Sequence, residues 1–305
     1  MSFWLKILGS NAAAPAHSRN QTSQILKVNS HFFLIDCGEG TQHQLNKYGI
    51  RLSKIDHIFI SHLHGDHYYG LIGLISTLHL YGRKKNLIIY GPPGLAEIIT
   101  IQLKHSSTSL TYDIELKEWK PGTSELIFEN KILEVTTFPM DHRISCSGFL
   151  FKEKPLPRKI NKELLPKEIL PSQIGLLKSG KNVENAEGDI IFSNDELTIE
   201  PRPPVSYAYC SDTRFMDGIV PFVMGVTLIY HEATFMDDMA DRAALTFHST
   251  ARQAATIAKK AGVGKLIIGH FSTRYKNLKP LLVEAKEVFE NSYLGIEGSD
   301  FVLVD

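Results

Sequence analysis

His62-Leu63-His64-Gly65-Asp66-His67 places three imidazoles and a carboxylate within six residues, directly after residues 55–60, an apolar run that reads as a buried strand. Imidazole nitrogen and carboxylate oxygen form the donor set that suits zinc, and a catalytic zinc keeps one position for water. His62 and His64, two apart in an extended or turning backbone, project the same way and can grip one ion. Asp66 and His67 lie beyond Gly65 and can serve a second.

Two ions need more donors than one loop supplies, so other strands should end in His or Asp. Three do. The β-rich run 133–138 ends in Pro139-Met140-Asp141-His142, the run 205–210 in Ser211-Asp212, and the run 265–269 in His270. Strand ends are where α/β sheets collect functional groups.

From His67 to His142, Asp212 and His270 the separations are 75, 70 and 58 residues. With the His-x-His-x-Asp-His cluster, this order resembles the metallo-β-lactamase fold and, within it, the short form of the ribonuclease Z family. Further segments carry the resemblance: residues 10–20 (SNAAAPAHSRN) are similar to a Pro-x-x-x-Arg-Asn loop, and Asp36-Cys37-Gly38-Glu39-Gly40-Thr41-Gln42 to a family turn. His231-Glu232-Ala233-Thr234 and His248-Ser249-Thr250 match two short motifs that separate this family from lactamases and glyoxalases. The similarity spans about residues 3 to 303. It implies a four-layer αββα sandwich with a protruding arm, and a zinc-dependent endonuclease that trims the 3′ trailer from precursor tRNA. It also implies a homodimer in which the arm of one subunit serves the other's active site.

Under that resemblance, His62, His64 and His142 are expected to bind one Zn2+ and Asp66, His67 and His270 the other, with Asp212 between them. Asp66 is expected to orient the attacking water and accept its proton. The resemblance assigns the proton donor to His248. Thr250-Ala251-Arg252-Gln253 has the pattern of a capping box, which sets His248 just before a helix start, and Glu232 is placed to bond its ring and raise its pKa. Arg19, Asn20 and Arg274 are candidate contacts to phosphate or the tRNA 3′ end. Tyr68 and Tyr69 serve either as base-stacking or as core residues.

The 305 residues, 43% of them hydrophobic, can bury one large domain or two similar halves. The alternation of runs suggests two βα halves, about 1–150 and 191–305. Strands are expected at 4–8, 24–28, 31–36, 55–60, 87–90 and 114–116, with helices over 41–48, 70–81, 93–103, 250–261 and 280–291. The Pro- and Lys-rich stretch 152–190 fits neither pattern and is the expected arm, where the family often has a Gly-Pro pair and this chain reads Pro171-Ser172-Gln173-Ile174-Gly175.

Basic and acidic residues balance at 33 each, unexpected for a protein that binds nucleic acid. Positive charge is local: residues 151–181 hold eight Lys or Arg against three Glu, a candidate surface for tRNA phosphates. No run of 18 apolar residues and no basic, apolar leader is present, so a membrane span and secretion are not expected. Cys37, Cys146 and Cys210, odd in number and without zinc-ribbon spacing, suggest reduced thiols in a cytoplasmic protein. The alternative reading is a hydrolase of this fold acting on a small phosphodiester or thioester.

Overall fold

The computed structural model describes residues 2–304. Among them, short runs, most of them buried on both faces, build two seven-stranded sheets. The first runs, in spatial order, Asp300–Val304, Phe3–Gly9, Ser23–Val28, His31–Cys37, Ile55–Phe59, Leu87–Gly91 and Ile114–Glu118. Pairing is antiparallel up to His31–Cys37 and parallel beyond it. The second runs Ser292–Leu294, Lys265–Gly269, Leu228–Glu232, Ser206–Cys210, Ser147–Glu153, Leu133–Pro139 and Leu126–Glu129.

The inner faces meet in an aromatic-rich core that joins Phe33, Phe59 and Tyr90 of the first sheet to Phe149, Phe151 and Tyr207 of the second. Helices Thr41–Lys47, Leu71–Leu80 and Leu95–His105 cover the outer face of the first sheet. Ala251–Ala261 and Lys279–Val288 cover that of the second. The result is the expected four layers, helix, sheet, sheet, helix. Each element named from the sequence has a counterpart within a few residues of its expected ends.

The sheets do not divide at residue 150. Strands Leu126–Glu129, Leu133–Pro139 and Ser147–Glu153 belong to the second sheet, whereas the last strand, Asp300–Val304, pairs antiparallel with Phe3–Gly9 of the first. Strand Ser147–Glu153 escapes a local reading because Lys152 and Glu153 look like the start of a charged insertion. Phe149 and Phe151 nevertheless point into the core, and Glu153, itself buried, accepts both arms of Arg202, at 2.6 and 2.8 Å.

Residues Glu153–Pro204 form a compact unit of their own, longer than the 152–190 read from composition. Strand Lys159–Ile160 pairs with Thr198–Ile199, and helix Pro171–Lys178 sets Leu177 against Val183 and Leu197 in a small core. The segment is thus folded, not merely Pro- and Lys-rich. Its basic excess is local as well: residues 153–204 hold eight Lys or Arg against nine Asp or Glu, and Arg158 pairs with Asp195 at 3.2 Å.

No helix among the described residues is long and apolar enough to cross a membrane. All three cysteines are buried and unpaired.

Between the sheets, the ring of His57 stacks on Phe33 and meets Phe128 edge-on, with centroids 5.5 and 4.7 Å away. Burial disfavours its protonation and, against the opposing pull of Asp56, pushes its pKa down to about 4. The unfolded chain takes up this proton near pH 6.5, so stability rises with pH between about 4 and 6.5. His57→Leu is expected to remove about 1–2 kcal/mol of the stability gained across that window, the partly exposed ring being screened. Urea unfolding at pH 4.5 and 7.5 measures it.

Candidate metal centre

The donors converge where strands of both sheets end. His62 and His64 follow strand Ile55–Phe59, and the helical turn Gly65–Tyr68 brings Asp66 and His67 back toward them. His142 follows Leu133–Pro139, Asp212 follows Ser206–Cys210, and His270 follows Lys265–Gly269.

Two groups form. In the first, His64 Nδ1 lies 3.1 Å from His62 Nε2 and 3.0 Å from His142 Nε2, and Asp212 Oδ2 is 3.6 and 3.8 Å from the same two Nε2 atoms. In the second, His67 Nε2 and His270 Nε2 are 3.3 Å apart, with Asp66 Oδ2 at 3.6 and 3.4 Å. Asp212 reaches this group too, through Oδ1, 3.4 Å from His67 Nε2 and 3.2 Å from His270 Nε2.

Donors held about 2.0–2.1 Å from one tetrahedral ion lie about 3.3 Å from one another, the spacing seen here. Hydrogen bonding does not account for all of it: Asp212 Oδ1 is buried and has no hydrogen-bond partner among the described residues. Burial opposes a charge on His67, yet Asp212, Asp66 and Asp36 hold its pKa well above the usual range. Anions crowded in this way call for cations. The residues fit metal ions, and a third possible donor group, Asp212, His248 and His270, overlaps the second.

Four rings present Nε2, and each has its Nδ1 occupied. His67 Nδ1 lies 2.7 Å from Asp36 Oδ2, His142 Nδ1 3.0 Å from the Phe247 carbonyl, His270 Nδ1 2.9 Å from Thr234 Oγ1, and His62 Nδ1 3.0 Å from Ser61 Oγ. Such partners fix the tautomer and leave the Nε2 lone pair for an ion. Only the structure picks out these supports. Asp36, left-handed at φ 53°, also accepts from Ser61 N, Ser61 Oγ and Tyr209 Oη at 2.7, 2.8 and 2.6 Å. Its sequence signal is its place in the turn beginning at Asp36, where Gly40 has φ 83° and a Cβ on Gly38 would come 2.4 Å from the Asp66 carbonyl oxygen.

Asp66 Oδ2 accepts the Ala13 N–H at 2.8 Å. Burial works against its charge, but His67 and His270 outweigh it and keep the carboxyl well below the usual range. The His248 ring lies 5.4 Å from that of His270, and its Nδ1 donates to Glu232 Oε1 at 2.9 Å. Glu232 is buried and also accepts from Thr213 N, Thr234 N and Thr234 Oγ1. The helix after His248 starts with the expected capping box, Thr250 Oγ1 accepting from Gln253 N and Gln253 Oε1 from Thr250 N.

Arg19 differs from expectation. Its guanidinium is buried and donates to Asn11 Oδ1 and the Tyr275 carbonyl, so it braces the 10–21 loop instead of facing a phosphate. Arg274 lies over the Phe235 ring at 5.2 Å. Tyr69 is exposed, outside any core.

Over its whole length the chain is 49% identical to a protein from Cytophaga hutchinsonii named Ribonuclease Z, 97% of which is covered. The chain belongs to the ribonuclease Z family. A ribonuclease Z from Bacteroides fragilis is 44% identical, over 97% of each chain. Among solved structures, the crystal structure of human tRNase Z, short form, superposes with a TM-score of 0.73 at 25% identity, covering 99% of this chain and 100% of that one. A family model described as "Anti-Pycsar protein Apyc1" matches residues 3–154, just under half the chain. As a ribonuclease Z, the chain is an endoribonuclease, a phosphodiester hydrolase, on the metallo-β-lactamase fold.

Proposed function

We propose that this ribonuclease Z removes the 3′ trailer from precursor tRNA, leaving a 3′-hydroxyl on the tRNA and a 5′-phosphate on the trailer. The observation that carries this reading is the pair of donor groups meeting at Asp212, with the Glu232–His248 pair beside them, in a chain similar over its full length to proteins of that name. In this reading two Zn2+ ions are held, one by His62, His64 and His142, the other by Asp66, His67 and His270, with Asp212 shared. Bound there, they supply Lewis acidity, lowering the pKa of water and neutralising charge on the phosphate.

The chain's own groups do the rest. Asp66, kept ionised and aimed by the Ala13 amide, orients the attacking water and takes its proton. As the new bond to phosphorus forms, the bond to the 3′ oxygen breaks. His248, whose Nδ1 is bound by Glu232, delivers a proton from Nε2 to that leaving oxygen. The reading further takes the enzyme as a cytoplasmic homodimer, with the 152–190 arm as its tRNA contact; the dimer rests on family resemblance alone.

The test is cleavage of a trailer-bearing precursor tRNA by protein of defined zinc content, beside Asp66→Ala and bis(p-nitrophenyl) phosphate. Metal-dependent cutting just after the discriminator base, absent in Asp66→Ala, is expected. Turnover of the small ester without tRNA cleavage would move the function to a small-molecule phosphodiesterase.

A further inference from the structure

Phe247 stands in the left-handed region at φ 61°, where a bulky side chain is rare. It ends helix Ala240–Thr246 in the position that usually takes glycine. Two consequences follow from its conformation. Its carbonyl turns to His142 Nδ1, 3.0 Å away, and the next residue, His248, is delivered to the Glu232 carboxylate. Nothing in the Phe247 side chain favours this backbone, so its neighbours must hold it.

The amides of Phe247 and His248 close the turn on the Ala244 and Ala243 carbonyls, and Arg214 packs on the ring. Its guanidinium carbon sits 4.1 Å from the centre of the Phe247 ring. Its edge forks onto Asp141, with Nε 2.9 Å from Oδ2 and Nη2 3.2 Å from Oδ1, while the Arg214 N–H donates to the Asp141 carbonyl at 2.9 Å. Thr213 completes the lacing: its hydroxyl accepts the Asp141 N–H at 3.0 Å and its carbonyl accepts Ser249 Oγ at 2.8 Å. One planar cation therefore touches the residue before His142 and the residue before His248, and lies two residues from Asp212. Two of these segments follow strands, Leu133–Pro139 and Ser206–Cys210, and the third follows helix Ala240–Thr246, so the guanidinium ties together three elements distant in sequence.

We propose that Arg214 is a positioning residue of this enzyme, a clamp that sets the metal donor His142 and the proton donor His248 in a common register through Asp141 and Phe247. The proposal rests on the roles given above to His142 and His248. Guanidinium is the group the geometry demands, because it offers a flat face to the ring and a two-pronged edge to the carboxylate at once. Lysine keeps the charge but neither the fork nor the face.

The experiment compares Arg214→Lys and Arg214→Ala with the parent in two assays. One is steady-state cleavage of precursor tRNA; the other is Co2+ binding and its visible spectrum, read without RNA, so that it stands even if tRNA is not the substrate. Both variants are expected to lose about 10- to 100-fold in kcat, with KM within about twofold of the parent, and to bind Co2+ more weakly with a changed spectrum. Lysine is expected not to rescue. Should a variant melt early, Phe247→Leu, which removes the stacking and keeps the Arg214–Asp141 fork, is expected to give the same change in spectrum. The clamp is overturned if the Co2+ spectrum and kcat stay at parental values. It is equally overturned if Arg214→Ala raises KM alone and Arg214→Lys restores it, because Arg214, half exposed at the rim, is then a phosphate contact.

Discussion

His248→Ala is expected to lower turnover of a precursor tRNA by about 10²- to 10⁴-fold, the range for removing a general acid, with metal content unchanged. The ring donates from Nδ1 to a carboxylate that is wholly buried and already holds three other hydrogen bonds. Burial opposes protonation of His248, but the Glu232 charge and hydrogen bond override it and hold the pKa at about 9. The ring thus carries its proton at neutral pH, and turnover is expected to fall as pH rises through that value. Glu232→Gln keeps the shape and removes the charge, so the alkaline fall should move to lower pH. Metal analysis of His248→Ala is decisive, because His248 also belongs to a possible donor group with Asp212 and His270. Loss of metal together with activity would make His248 a ligand instead of the acid.

Asp212→Ala is expected to have the other large effect: loss of metal from both donor groups and cleavage lowered by more than about 10³-fold. Its two oxygens lie within 3.8 Å of four imidazole Nε2 atoms, two in each group. Without them the rings confront one another with no shared anion. Metal content by mass spectrometry and the melting temperature with and without chelator measure this. Ions that bind only the folded chain raise its melting temperature, and Asp212→Ala should lose most of that gain. A full metal complement in the variant would remove Asp212 from the shared position.

The donor types were legible in the sequence because they are local chemistry: His62 to His67 on one turn, and His142, Asp212 and His270 each just past an apolar run. The helix start at Thr250 was legible for the same reason, its capping box closing within four residues. Strand Ser147–Glu153 was not, since its register is set by Ser206–Cys210 some sixty residues away, and the charge of Lys152 and Glu153 masks its inward-facing phenylalanines. The arm misled in the same way. Its lysines stand together in sequence, while the acidic residues that offset them arrive later, as Asp195 does against Arg158.

By itself, then, the amino-acid sequence determined which side chains are available to metal and proton chemistry and most of the segments that become strands and helices, because these depend on residue type and short spacing. The tertiary structure alone decided that Asp212 reaches both donor groups, that His64 turns Nδ1 to its neighbours while the others turn Nε2, and that Asp36, Thr234, Phe247 and Arg214 hold the donors in place. Those choices are made by contacts between groups tens to hundreds of residues apart, such as His67 with His270 or Tyr209 with Asp36. Such groups meet only when the two sheets close on one another and bury the space between them.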